Sequence, residues 1–122
     1  MGIRRIDIIS IPVSDQKVAK SFYTDMLGFK IIIDSSMGPN QRWVQMGLPG
    51  AETSVTLVNW FETMLAGSLQ GMVLDTTDID TDRKELVGKG LEISEIQDAP
   101  WGRFATFSDP DGNGWVLKQA PI

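Results

Sequence analysis

The chain has 122 residues, 42% of them hydrophobic, and its 11 Lys and Arg against 16 Asp and Glu give a formal net charge of −5. That length suits one domain with a substantial core, and an acidic balance with no long Lys/Arg cluster argues against nucleic acid as a partner. Cysteine and histidine are both absent, which excludes disulfides, thiolate metal sites and cysteine nucleophiles and removes the commonest metal ligand and general base. No apolar run is long enough to cross a bilayer, and "MGIRRIDIIS" lacks the apolar segment and cleavage site of a secretory leader, so the expectation is a soluble cytoplasmic protein without a membrane partner.

The first periodic segment, "IRRIDIISIPV", alternates Ile9, Ile11 and Val13 and predicts a strand with one buried face. Asp15 then stands as a helix N-cap. Val18, Phe22 and Met26, with Ala19, Tyr23 and Leu27, recur every four residues as an apolar stripe on a helix that Gly28 ends, so Phe22 and Tyr23 are expected in the core. Residues 29–34, "RWVQMGL" and "SVTLVNW" follow as strands, separated by the turn-forming "MGPN" and "PGAE".

After "FETMLAGSLQ" the pattern recurs. "GMVLDTTD" predicts a strand ending at the cap Asp78, and "DIDTDRKELVGKG" a helix with Ile79, Leu86 and Val87 inward and Gly90 near its end. "LEISEI", "GRFATFS" and "GWVLKQ" predict three further strands. Val13-Ser14-Asp15 answers to Thr76-Thr77-Asp78, Gly28 to Gly90, Arg42-Trp43 to Arg103-Phe104, Pro49 to Pro110 and Leu57 to Leu117. Correspondences in one order imply two copies of a βαβββ unit. A single domain over 1–122 is therefore expected, with module one over about 1–61, a linker over about 62–69 and module two over about 70–122.

"IPVSDQKVAKSFYTDMLGFK" and "WGRFATFSDPDGNGWVLK" resemble the two signature regions of the vicinal oxygen chelate superfamily, which includes glyoxalases, bleomycin-resistance proteins and extradiol dioxygenases. The resemblance implies an α+β fold in which two tandem βαβββ modules form a curved mixed sheet around a cavity, and a homodimer. It also implies metal-ligand positions, which fall here at Ile8, Thr56, Gly71 and Val116. A one-residue slip moves them to Asp7, Val55, Met72 or Leu117, of which only Asp7 has a ligating group. A divalent cation needs several convergent donors, so no metal and no cofactor is expected, although a displaced site using Glu52, Glu62 or Asp75 stays open. "DPDGNG" also fails as a calcium loop, because the twelfth residue from Asp109 is Ala120 and both flanks predict strands.

Strand alternation within this expected fold puts Ile8, Ser10 and Pro12 on the concave face, with Ser54, Thr56 and Val58, then Gly71, Val73 and Asp75, and Gly114, Val116 and Lys118. Trp43, Trp60, Phe61, Trp101 and Phe104 are candidate stacking groups for a planar ligand, with core packing as the competing role for each. Arg42 and Arg103 occupy equivalent repeat positions and suit either a ligand anion or a structural ion pair. The ligand-binding candidates are thus Ile8, Ser10, Trp43, Thr56, Trp60, Phe61, Gly71, Asp75, Trp101, Arg103, Phe104, Val116 and Lys118, with no catalytic residue assigned. The favoured reading is metal-independent binding of a small organic molecule, aromatic or amphiphilic and with a planar aromatic one among the options, in a dimer cavity, as the resemblance to bleomycin-resistance proteins implies. One alternative is a glyoxalase-like lyase (lactoylglutathione lyase-like), isomerase or dioxygenase-type enzyme with a displaced metal site or with acid/base chemistry through Asp75 and Lys118. Another is a non-catalytic interaction or regulatory module.

Overall fold

A computed structural model describes residues 1–121. The chain forms two compact units, Met1–Ala66 and the residues from Gly67 onward, each with the order βαβββ. The fold is therefore α+β, with a tandem repeat.

The first unit comprises β1 (Ile8–Pro12), α1 (Gln16–Ser21), a π turn (Phe22–Met26), β2 (Lys30–Ser36), β3 (Arg42–Gly47) and β4 (Ser54–Val58). Its sheet runs in the order β1-β4-β3-β2, with β1 parallel to β4 and the other pairs antiparallel. Asp15 starts α1 by accepting the backbone N–H groups of Lys17 (2.9 Å) and Val18 (3.2 Å). Ile11, Leu57 and Val44 lie side by side across three strands and, with Met46, Ala19 and Tyr23, are almost wholly buried.

The helix is shorter than its apolar pattern predicts. Ala19 and Tyr23 are buried as expected, but Val18 is 52% exposed and Phe22 only half-buried. After Ser21 the backbone widens into the π turn, and only the Ala19–Tyr23 row faces the sheet. The Tyr23 ring meets Phe22 and Phe29 edge-on at 5.2 and 5.6 Å. Gly28, at φ +78, then turns the chain so that the N–H of Phe29 bonds the carbonyl of Tyr23 at 3.0 Å.

The second unit comprises β5 (Met72–Asp75), α2 (Ile79–Gly88), β6 (Gln97–Ala99), β7 (Gly102–Ser108) and β8 (Gly114–Gln119), in the sheet order β5-β8-β7-β6. Again the first and last strands are parallel neighbours. "GRFATFS" and "GWVLKQ" are strands over their whole predicted length, whereas "LEISEI" is not. In that segment Ile93 makes one isolated bridge to Phe107, and β6 begins at Gln97. Side chains interrupt the ladder: Ser94 Oγ takes the N–H of Thr106 at 2.9 Å, and Arg83 Nε donates to the Ser94 carbonyl at 2.8 Å.

The turn between β7 and β8 is organised by two buried polar side chains, Asp109 and Asn113. One oxygen of the Asp109 carboxylate accepts the N–H groups of Asp111 (3.0 Å) and Asn113 (2.9 Å), while the other accepts the Asn113 side-chain amide at 2.8 Å. Asn113 Oδ1 in turn accepts the N–H of Leu69 at 3.0 Å, and the N–H of Gly114 bonds the Leu69 carbonyl at 2.8 Å. Gln70 adds a bond from its amide to the Gly112 carbonyl at 3.1 Å. Gly67 lies so close that a Cβ there would sit 2.0 Å from the Asp111 carbonyl oxygen, and its φ of +82 also favours glycine. Asp109 and Asn113 of "DPDGNG" thus build a clamp on the strand entering the second unit. Replacing Asn113 with Ala removes the acceptor of the Leu69 N–H and one donor to the Asp109 carboxylate, with an expected loss of about 1–3 kcal/mol. Chemical denaturation measures it, and a change within about 0.5 kcal/mol, the range of ordinary surface substitutions, would refute this role.

Candidate functional site

Each unit carries an aromatic cluster associated with one face of its sheet. In the first, Trp43 and Trp60 stack with ring centroids 6.5 Å apart, and Trp60 lies 6.0 Å from Phe61, which is half-exposed. Trp43 shares its side of the sheet with Gln45, Ser10, Ile8 and Thr56 through the pairings Gln45–Thr56, Ser10–Thr56 and Ile8–Ser54. A polar chain runs along this face: the Trp43 indole N–H donates to Gln45 Oε1 (3.1 Å), and Gln45 Nε2 donates to Ser54 Oγ (2.9 Å). Thr56 is 1% exposed and its hydroxyl donates to the Val44 carbonyl at 3.0 Å. Gln45 was not among the sequence candidates, although it stands two residues after Trp43 and so shares its face.

In the second unit Trp101 and Phe104 stack at 4.7 Å with ring planes 29° apart. Trp101 is 49% exposed, and its partner leads along the sheet to an apolar centre. There Val73 pairs with Val116, and Val116 with Thr106, while Val73 is 55% exposed. Asp75 and Lys118 are opposite one another on the same face, next to Phe104. At the Gly114 end of this sheet a cavity of about 570 Å³ is lined by Gly71 and Val116 together with Gln70, Glu92, Thr106 and Trp115, among others. That volume lies within the range of small-molecule sites. Among the sequence candidates, Gly71 and Val116 therefore share a cavity wall, and Asp75, Phe104, Val116 and Lys118 share a sheet face.

The Glyoxalase/Bleomycin resistance protein/Dioxygenase superfamily matches residues 5–117 as a family. The chain belongs to this superfamily. Among solved structures, it is similar to TnmS3, described as an antibiotic binding protein from Streptomyces sp. CB03234, at 45% identity and TM-score 0.94, with 99% of each chain covered. A member of the same superfamily from Sphaerobacter thermophilus DSM 20745 is 37% identical, with TM-score 0.88 and 98% and 99% of the two chains covered. The uncharacterised protein YetH of Bacillus subtilis (strain 168) is 36% identical over 96% of this chain and 99% of that protein.

The superfamily's metal chemistry finds no matching donor set at the expected positions. Ile8 and Val116 are apolar, Gly71 has no side chain, and the Thr56 hydroxyl is buried against a backbone carbonyl. Among the described residues no group of three or more Asp, Glu, His or Cys side chains could hold a metal ion. The closed environment of Thr56 and the open one around Val73 and Val116 instead distinguish a braced sheet face from an accessible apolar one.

The equivalent arginines face opposite electrostatic settings. Arg103 is turned toward α2, where its two terminal nitrogens grip Asp80 at 2.7 and 3.1 Å while Nε lies 3.6 Å from Asp98. The Arg103 hydrogen bond holds the Asp80 carboxyl below its ordinary value. Arg42 instead shares Asp34 with Lys20, whose Nζ is 2.7 Å from Oδ2. The Lys20 hydrogen bond, followed by that of Arg42, keeps the Asp34 carboxyl below its ordinary 3.8. A lowered folded-state value contributes stability that is complete above the unfolded value and disappears as pH falls through the folded one. The stability gap between the parent and Asp34→Asn should therefore be constant near neutrality and shrink below about pH 4. Thermal denaturation between neutral and strongly acidic pH measures this gap, and a gap independent of pH would contradict the linkage.

Proposed function

We propose that the protein binds a small, planar organic molecule without a metal ion, and that two copies pair to complete the cleft. The observation that carries this reading is the accessible strip from the Trp101–Phe104 stack across Thr106, Val116 and Val73 to the cavity at the Gly114 end. Aromatic faces and half-buried aliphatic groups favour an apolar planar ligand, while Asp75 and Lys118 at the edge provide orienting polar contacts. The similarity to an antibiotic binding protein supports an antibiotic-like ligand class. Trp43, Trp60, Phe61, Ile8 and Ser10 would form the corresponding face of the first unit, with Thr56 a structural member of its wall and Arg103 a brace rather than a ligand contact.

Tryptophan fluorescence titrated with a panel of planar aromatic antibiotics tests this function. Saturable quenching is expected, unchanged by EDTA, with about tenfold weaker binding in Trp101→Ala, as expected for losing roughly 1.4 kcal/mol of stacking and contact energy. Val116→Glu should abolish binding while retaining the fold, because the carboxylate would enter an apolar, half-buried face. Binding that requires a stoichiometric divalent ion would favour a displaced metal site, and failure of the whole panel would favour an interaction module.

The outer strand β2 bears Ile31, Ile32 and Ile33, all substantially exposed, with a register shift between Ile31 and Ile33. An apolar edge of this kind supports pairing with a second copy. Light scattering after gel filtration at micromolar concentration should give a dimer, reduced to monomer by Ile32→Lys. A monomeric parent would rule out a shared cleft.

A further inference from the structure

A second cleft, of about 240 Å³, lies within the first unit between α1 and strands β2 and β3, lined by Gln16, Lys17, Lys20, Asp34, Arg42 and Val44. It gathers three cations and one carboxylate on a chain whose net charge is −5. Its volume equals roughly eight waters at about 30 Å³ each, which leaves room for a compact anion and part of its hydration shell.

The cationic groups are engaged unequally. Asp34, whose side chain is 17% exposed, receives Lys20 on one oxygen and Arg42 Nε on the other. That contact occupies only Arg42 Nε; among the described residues both terminal nitrogens of Arg42 lack a protein partner, and Lys17 has no ion pair. Arg103 provides the internal comparison: at the equivalent repeat position both its terminal nitrogens are occupied by Asp80. Two acids face that one arginine, whereas one acid faces Arg42 together with two lysines.

The cleft is also braced. Gln16 Nε2 donates to the Arg42 carbonyl at 2.7 Å and the Leu57 carbonyl at 2.8 Å, tying the start of α1 to β3 and β4. Lys17 and Lys20 are three residues apart on that helix and line the same cleft as Arg42. A guanidinium with two terminal donors open matches an oxyanion bidentately, and nearby ammonium groups add charge without demanding a fixed geometry.

We propose that this cleft binds a small oxyanion, either inorganic phosphate or the phosphate of a small ester, through the open fork of Arg42 with Lys17 and Lys20. Asp34 stays in place beneath the anion as the anchor that orients Arg42 and Lys20. The acidic net charge of the chain disfavours long polyanions, so the recognised species is compact. This site is separate from the aromatic face and does not depend on the organic-ligand reading.

The test is an amide-resolved NMR titration of the full chain with inorganic phosphate and, in parallel, glycerol 3-phosphate, at ionic strength held constant with chloride. Saturable shifts are expected at Lys17, Lys20, Asp34 and Arg42, with affinity reduced about tenfold or more in Lys17→Glu, a charge reversal at a residue without an ion-pair partner. Tighter binding of the ester assigns the site to a phosphorylated small molecule, and equal binding assigns it to the free ion. Non-saturating shifts, the same shifts with acetate, or saturable shifts unchanged in a folded Lys17→Glu variant would overturn the proposal.

Discussion

The parallel pairing of the first and last strand in each unit is the constraint on which the remaining arrangement depends. It sets Ile11 beside Leu57 in one sheet and Leu74 beside Leu117 in the other. Because successive side chains alternate across a sheet, those registers also put Ser10, Thr56 and Gln45 on one shared face and Val73, Val116 and Thr106 on another. Shifting either central pairing by one residue would exchange the helix-facing apolar row for the mixed polar face. The core and the candidate site are thus two products of a single register.

Where local pattern and tertiary demand agree, the sequence was readable. β7 and β8 carry alternation on both sides of a turn-forming segment, and their predicted limits coincide with the observed strands. The ordered correspondences between the two halves revealed the repeat, the superfamily resemblance added the expectation of its assembled fold, and Ile8, Thr56, Gly71 and Val116 show that the usual ligating side chains are missing from the positions the resemblance implies. What remained hidden depended on partners remote in sequence. Arg83 and Ser94 decide that "LEISEI" does not continue as a strand, and Asp80 decides the direction of Arg103 from 23 residues away. Periodicity likewise revealed the apolar stripe of this helical segment but neither the π turn after Ser21 nor the exposure of Val18. Aromatic identity was visible throughout; the pairing of Trp43 with Trp60 and of Trp101 with Phe104 is set by the fold.

The two repeats share their backbone architecture and differ in the partners of individual side chains. Both begin a helix from an aspartate cap and both place an arginine before an aromatic residue on the third strand. Their side-chain partners then diverge. The first unit covers every residue of β4, while the equivalent face around β8 retains half-buried and exposed apolar groups. Similarly, acidic residues close the fork of Arg103 and a lysine shares the partner of Arg42. The same backbone can therefore hold one closed and one open surface, with the distinction residing in individual side chains.

The clamp built by Asp109 and Asn113 also gives the second unit a direction in time. Leu69 waits for a side chain 44 positions later, and among the described residues the strand that follows it, β5, has β8 as its sole neighbour in the sheet. As the chain emerges from the ribosome, every other element of this unit precedes the one that secures its first strand. The unit therefore closes late, through contacts distant in sequence, and β5 lacks its sheet partner in this unit until the final strand arrives. Two polar side chains in a tight turn consequently determine both where that strand lies and when it can become secure.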